Sequence, residues 1–139
     1  MKKIIASILL ILVLAIVLFL ALQGPEETFA LSERVRILAS KMGYRGSPLQ
    51  FRSDVHYVEY FVVGLVVILF FKALGWKTWL GALMACVIGL AEETLKIFLP
   101  TREFGYVDLI KDFVGIGAAM LIVVIMSKIR RPSYDGEKK

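Results

Sequence analysis

Cysteine and histidine occur once each, as Cys86 and His56, in a chain of 139 residues. A lone cysteine excludes an intramolecular disulfide and any zinc site built on cysteines. Inside an apolar run, Cys86 reads as a packing residue. The sequence has no G-x-S-x-G nucleophile motif, no glycine-rich phosphate loop, no nucleic-acid-binding motif and no internal repeat. Charged residues make up only 21% of the chain and are missing from long stretches of it.

What remains is apolar. The chain is 58% hydrophobic with a mean hydropathy of +0.75, above that of an ordinary soluble domain. A membrane-crossing helix needs roughly 20 largely apolar residues. Four segments meet that need, at 4–22, 55–71, 78–99 and 109–126. The expected fold is an all-α integral membrane protein with four transmembrane helices in a single domain over 1–126. Lys2 and Lys3 before the first span resemble the start of a signal peptide. The run is long, however, and Ala21-Leu22-Gln23-Gly24-Pro25 is not a small-residue cleavage site, so the span reads as a retained anchor.

Between the first two spans, 25–42 reads as an amphipathic helix. Pro25, Glu26 and Glu27 suit a helix start and Gly43 a stop. Leu31, Val35, Leu38 and Met42 fall on one stripe, an arrangement that suits the membrane interface or packing on the bundle. Residues 43–53 read as an irregular link back to the membrane, and 127–139 as a polar tail.

The charges that interrupt the apolar runs are the unusual feature. A charge at the bilayer centre costs about 2.5–3.5 kcal/mol on insertion scales. His56, Glu59 and Tyr60 open the second span at i, i+3, i+4 and share a face. Glu92, Glu93 and Lys96 close the third span, and Asp108, Lys111 and Asp112 open the fourth. Arg102 lies in the link between them. With four spans, all these ends share one side of the membrane.

Gly81, Ala85 and Gly89 form a small-residue stripe that Glu93 continues, and Asp112 is continued by Gly115 and Ala119. Small residues let membrane helices approach closely. The acids are therefore expected between helices, with Glu93 about 9 Å inside its span. The expected site is a polar cup of His56, Glu59, Tyr60, Glu92, Glu93, Arg102, Asp108 and Asp112, open to one side. Arg52, Lys96 and Arg102 are its candidate anion-binding groups. Helix capping is the plainer reading of Asp108, Asp112 and Lys96, but it calls for neither a histidine nor a deeply placed Glu93.

Lys2, Lys3, Lys72, Lys77, Lys128, Arg130 and Arg131 hug the span ends on one side, whereas Arg34, Arg36, Lys41, Arg45 and Arg52 lie in the opposite connection. The first set is expected in the cytoplasm, with both termini, and Trp76 and Trp79 at that interface. The cup then faces outward, toward the cell envelope.

From Arg52 to Ala119 the chain resembles the VanZ-like family of small bacterial membrane proteins. One block reads Arg52, His56, Tyr57, Glu59, Tyr60 and Gly64. A second reads Glu92-Glu93, Phe98, Pro100-Thr101-Arg102, Asp108, Asp112 and Gly115. It departs from the family at Ser53, Lys96 and Thr101, where lysine, glutamine and glycine are common. The resemblance implies a bacterial cytoplasmic membrane protein with a role at the cell envelope, associated with lowered susceptibility to the glycopeptide teicoplanin.

Three functional readings follow. In the first, the cup binds an envelope lipid or lipid-linked precursor, its bases meeting phosphate or carboxylate and its acids orienting them and meeting sugar hydroxyls. In the second, the chain is a membrane enzyme acting on a lipid phosphate. His56, Glu59, Glu93, Asp108 and Asp112 would then be candidate ligands of a divalent cation such as Mg, Mn or Ca, or His56 a general base. In the third, ion pairs simply lock the helices together. No nucleic-acid partner is expected.

Overall fold

The computed structural model describes residues 2–99 and 104–129. These residues form five helices: α1 (Lys2–Leu22), α2 (Pro25–Lys41), α3 (Pro48–Ala73), α4 (Thr78–Lys96) and α5 (Tyr106–Ile129). Among the described residues there is no strand. Four of the helices, α1, α3, α4 and α5, are long and apolar enough to cross a membrane, and the chain is a multi-pass membrane protein on that ground.

Helix α3 starts at Pro48, well before the predicted 55, so half of the predicted irregular link is helical. The cause is local. Ser47 accepts a hydrogen bond from the Gln50 amide at 3.2 Å, and Pro48 occupies the first helical turn, where it leaves no needed donor missing. The rest of the link is tied down by Tyr44. Its hydroxyl donates to Asp54 at 2.8 Å, and its ring meets Phe51 edge-on at 5.2 Å.

Helix α4 stops at Lys96 rather than 99. Residues 97–99 continue as a turn whose amides bond three residues back, Ile97 to Thr94 and Leu99 to Lys96. Glu93 therefore sits one turn from the helix end, shallower than the spacing suggested. Helix α5 is longer at both ends than 109–126 and takes in Ser127–Ile129 of the expected tail; 130–139 lie outside the described residues.

Helix α3 is central, packing on α1, α2, α4 and α5. Glycines set how closely the backbones approach. A Cβ on Gly115 would lie 2.6 Å from the Tyr57 carbonyl oxygen, and one on Gly64 would lie 3.0 Å from Ile116 Cα. On α4, a Cβ on Gly81 would lie 2.7 Å from Ile68 Cα, and one on Gly89 would lie 2.9 Å from the Tyr60 ring. The small-residue stripes are thus the faces α4 and α5 turn to α3. Val63, Val67, Ile68, Ala85, Ile116, Ala119 and Val123 fill the space between them.

Large apolar side chains cover the outside, among them Ile8, Ile11, Phe19, Val58, Leu83, Val114 and Leu121. In water so much exposed apolar surface would be a liability; in a bilayer it is the solvated face. At the end of the bundle where α3 finishes, Lys72 donates to Ser127 at 2.5 Å, and Gly75 turns the chain at φ +84°.

Candidate functional site

The C-terminal ends of α1 and α4 and the N-terminal ends of α3 and α5 meet at the other end of the bundle, under α2. They enclose a cavity of about 420 Å³. Helix α3 presents Arg52, Val55, His56 and Glu59 to it, at i, i+3, i+4 and i+7 on one face. Glu92 and Lys96 reach it from α4 and Asp108 from α5. Its remaining wall is largely apolar, from Leu20 of α1, Leu31 and Val35 of α2, and Phe51.

The ionisable residues of this region fall into two groups. Those of the first are already engaged. Lys96 bonds Glu93 and lies 3.5 Å from Glu92. Glu93, with no exposed surface, also accepts from the Gly105 amide at 3.1 Å and so ties α4 to the approach to α5. Tyr60, fully buried against Gly89, donates its hydroxyl proton to Glu92. Lys111 donates to Asp108 at 2.7 Å. The Lys96 ammonium, a candidate anion-binding group from sequence, is thus held between two carboxylates of its own helix.

The second group is not satisfied in this way. Arg52 and Glu59 both line the cavity and make neither a hydrogen bond nor an ion pair with any described residue. His56 stands between two carboxylates one turn apart on α5. Its Nε2 is 3.9 Å from Asp108 Oδ2, and its Nδ1 is 3.6 Å from Asp112 Oδ1, beyond hydrogen-bond reach. Asp112 has no exposed surface, and neither of its carboxylate oxygens has a hydrogen-bond partner among the described residues.

The structure therefore brings together seven of the eight residues expected in the cup; Arg102 lies outside the described residues. Tyr60, Glu93 and Asp112 stand behind the cavity wall rather than on it. Among the described residues no three of the His, Cys, Asp and Glu side chains are placed to share a metal ion.

The chain matches no family model, no curated protein and no solved structure.

What the sequence reading missed is the apolar half of the cavity. Leu31 and Val35 belong to the stripe read along α2, but that stripe divides. Leu31 and Val35 face the cavity, while Leu38 and Met42 are 61% and 86% exposed. Val55 and Phe51 lie beside Arg52 and His56 on α3, and their helical register could have placed Val55 on the polar face of the cup.

On α2 itself, Arg36 grips Glu33 through two hydrogen bonds, of 2.8 and 2.5 Å. These hold the Glu33 carboxyl below the usual carboxylate range.

Proposed function

We propose that this protein binds an amphiphile of the cell envelope, with the polar group among Arg52, His56 and Glu59 and the apolar part against Leu20, Leu31, Val35 and Phe51. One observation carries the reading. A single cavity combines an apolar wall with two ionisable side chains, Arg52 and Glu59, that make no hydrogen bond or ion pair with any described residue. Ligand pockets are typically apolar concavities of about 300–1,000 Å³ with a few converging polar groups, and this one falls in that range. A charged side chain held near lipid without a partner is a functional candidate.

Helix α2 in this reading lies along the membrane interface and forms the outer wall of the site. The termini lie in the cytoplasm and the cavity opens outward. The VanZ-like pattern over 52–119 supports the same picture, and with it lowered susceptibility to teicoplanin-type glycopeptides through a lipid or lipid-linked precursor. Tyr60, Glu92, Glu93 and Lys96 support a complementary reading for part of the cluster, in which they lock α3, α4 and the approach to α5 together.

Native mass spectrometry of the protein extracted from membranes tests the proposal. The wild type is expected to retain one lipid-sized adduct, and Val35→Trp, which fills the cavity from α2, to lose it. An adduct of equal occupancy in both would remove the cavity as its site.

A further inference from the structure

At the end of the bundle away from the cavity, the charge is almost all of one sign. There α1 and α4 start and α3 and α5 end. Segments 1–25, 60–91 and 113–134, which run to and from that end, contain no aspartate or glutamate. With the sequence that follows α5, this end has nine of the chain's 17 basic residues and two of its 12 acids, Asp135 and Glu137. The positive surplus stands wherever those two acids lie. The cavity end is different. Eight bases meet ten acids there, and Arg36, Lys96 and Lys111 are each paired with one.

No such pairing occurs among the described residues of the basic end. Lys72 donates to the neutral hydroxyl of Ser127 at 2.5 Å. That bond draws its ammonium from α3 to the last turn of α5, where Lys128 is the next residue. The ammonium groups of Lys77 and Lys128 make neither a hydrogen bond nor an ion pair with any described residue. Helix dipoles favour Lys72 and Lys128, which lie in last turns. They do not account for Lys77, which caps the start of α4, the end where a cation is disfavoured.

The surroundings say which anion fits. Trp76 and Trp79 flank Lys77 in the sequence and are half-exposed, and the Trp76 ring is fixed edge-on against Phe71 at 5.2 Å. Ile125, Met126 and Ile129 are exposed around Lys128 on α5. The cations thus stand where apolar surface gives way to indole rings, at the level of bilayer headgroups. A soluble anion would meet the charge alone. An anion whose chains continue along the apolar surface meets both.

We propose that this end of the bundle binds anionic phospholipid, with Lys72, Lys77 and Lys128 as its headgroup contacts. The site is separate from the cavity and does not depend on which way the chain is inserted.

Both tryptophans of the chain lie at this end, so their fluorescence reports on the lipids around it. The test uses vesicles of equal parts phosphatidylglycerol and phosphatidylcholine, with bromine near the headgroup end of the chains of one lipid or the other. The composition, and with it the surface charge, is then constant. Brominated phosphatidylglycerol should quench as a lipid preferred about fivefold, the preference that one well-placed ammonium supplies. The preference should be present at about 0.01 M salt and largely lost at about 1 M. Lys72→Gln, Lys77→Gln and Lys128→Gln together should bring it close to parity, and arginine at the same three positions should keep it. Sodium phosphate added at constant ionic strength should not compete.

Equal quenching by the two lipids in the wild type, or a preference unchanged by the three glutamines, would overturn the proposal. Competition by phosphate at constant ionic strength would assign the surface to a soluble anion and overturn the lipid.

Discussion

His56 Nδ1 and Asp112 Oδ1 face each other at 3.6 Å in a position where Asp112 has no contact with solvent. The histidine is the basic group placed against that carboxylate. Asp108, on the preceding turn of α5, faces the other ring nitrogen. The pair joins α3 and α5, whose backbones are in close contact at Gly115.

Removing the histidine should therefore expose a defect that removing both partners does not. His56→Leu leaves a buried carboxylate without a counter-charge, an arrangement that costs about 3–5 kcal/mol. His56→Leu combined with Asp112→Asn should recover most of that loss. Unfolding in mixed micelles, read as a double-mutant cycle, measures the coupling; strictly additive losses would contradict it.

Lys96 and Glu93 are not equivalent partners. Lys96→Met strands two carboxylates, Glu92 and Glu93, of which Glu93 has no exposed surface. It should destabilise by about 3–5 kcal/mol. Glu93→Gln keeps an acceptor for the Gly105 amide and leaves Lys96 near Glu92, so it should cost clearly less. A thermal-shift comparison of the two in one detergent gives the order, and the reverse order would refute the assignment of Lys96 as the shared counter-charge.

The helix contacts make a sharper contrast. A Cβ at position 115 would press on the Tyr57 carbonyl and on the Phe61 amide nitrogen, at 2.6 and 2.8 Å. Both are backbone atoms of a packed helix and cannot turn away. Gly115→Ala should lose about 1–3 kcal/mol. Two residues along, no described residue lies within 4 Å of a Cβ on Gly117, and Gly117→Ala should gain about 0.5–1 kcal/mol from helix propensity. Similar melting temperatures for the two variants would show that α3 and α5 are not in such close contact.

Much of this architecture is legible in the sequence because bilayer thickness and backbone hydrogen bonding leave few choices. The four apolar runs become the four long helices. The Gly81-Ala85-Gly89 stripe becomes the α4 face against α3, and Glu93, which continues it, is buried and turned to the Gly105 amide. The start of α3 was also written in the chain, as Ser47-Pro48, but hydropathy alone places the span start at the first apolar residue.

The division of labour within the cup was not legible. Glu92 and Glu93 are neighbours, about 100° apart around the helix. One reaches the cavity wall and the other the Gly105 amide, and only the position of α3 and α5 decides which. Nor could spacing show that α2 folds over the site, since of its stripe of four apolar residues Leu31 and Val35 line the cavity and Leu38 and Met42 do not.

The central proposal is that Arg52 binds the polar group of a membrane amphiphile inside the cavity. Solid-state NMR tests this directly, as the dipolar coupling between labelled arginine side chains and lipid phosphorus in phospholipid bilayers. A phosphorus-coupled arginine signal that disappears in Arg52→Gln, and again when Val35→Trp fills the cavity, is the predicted result. A set of couplings unchanged by both substitutions would contradict the account.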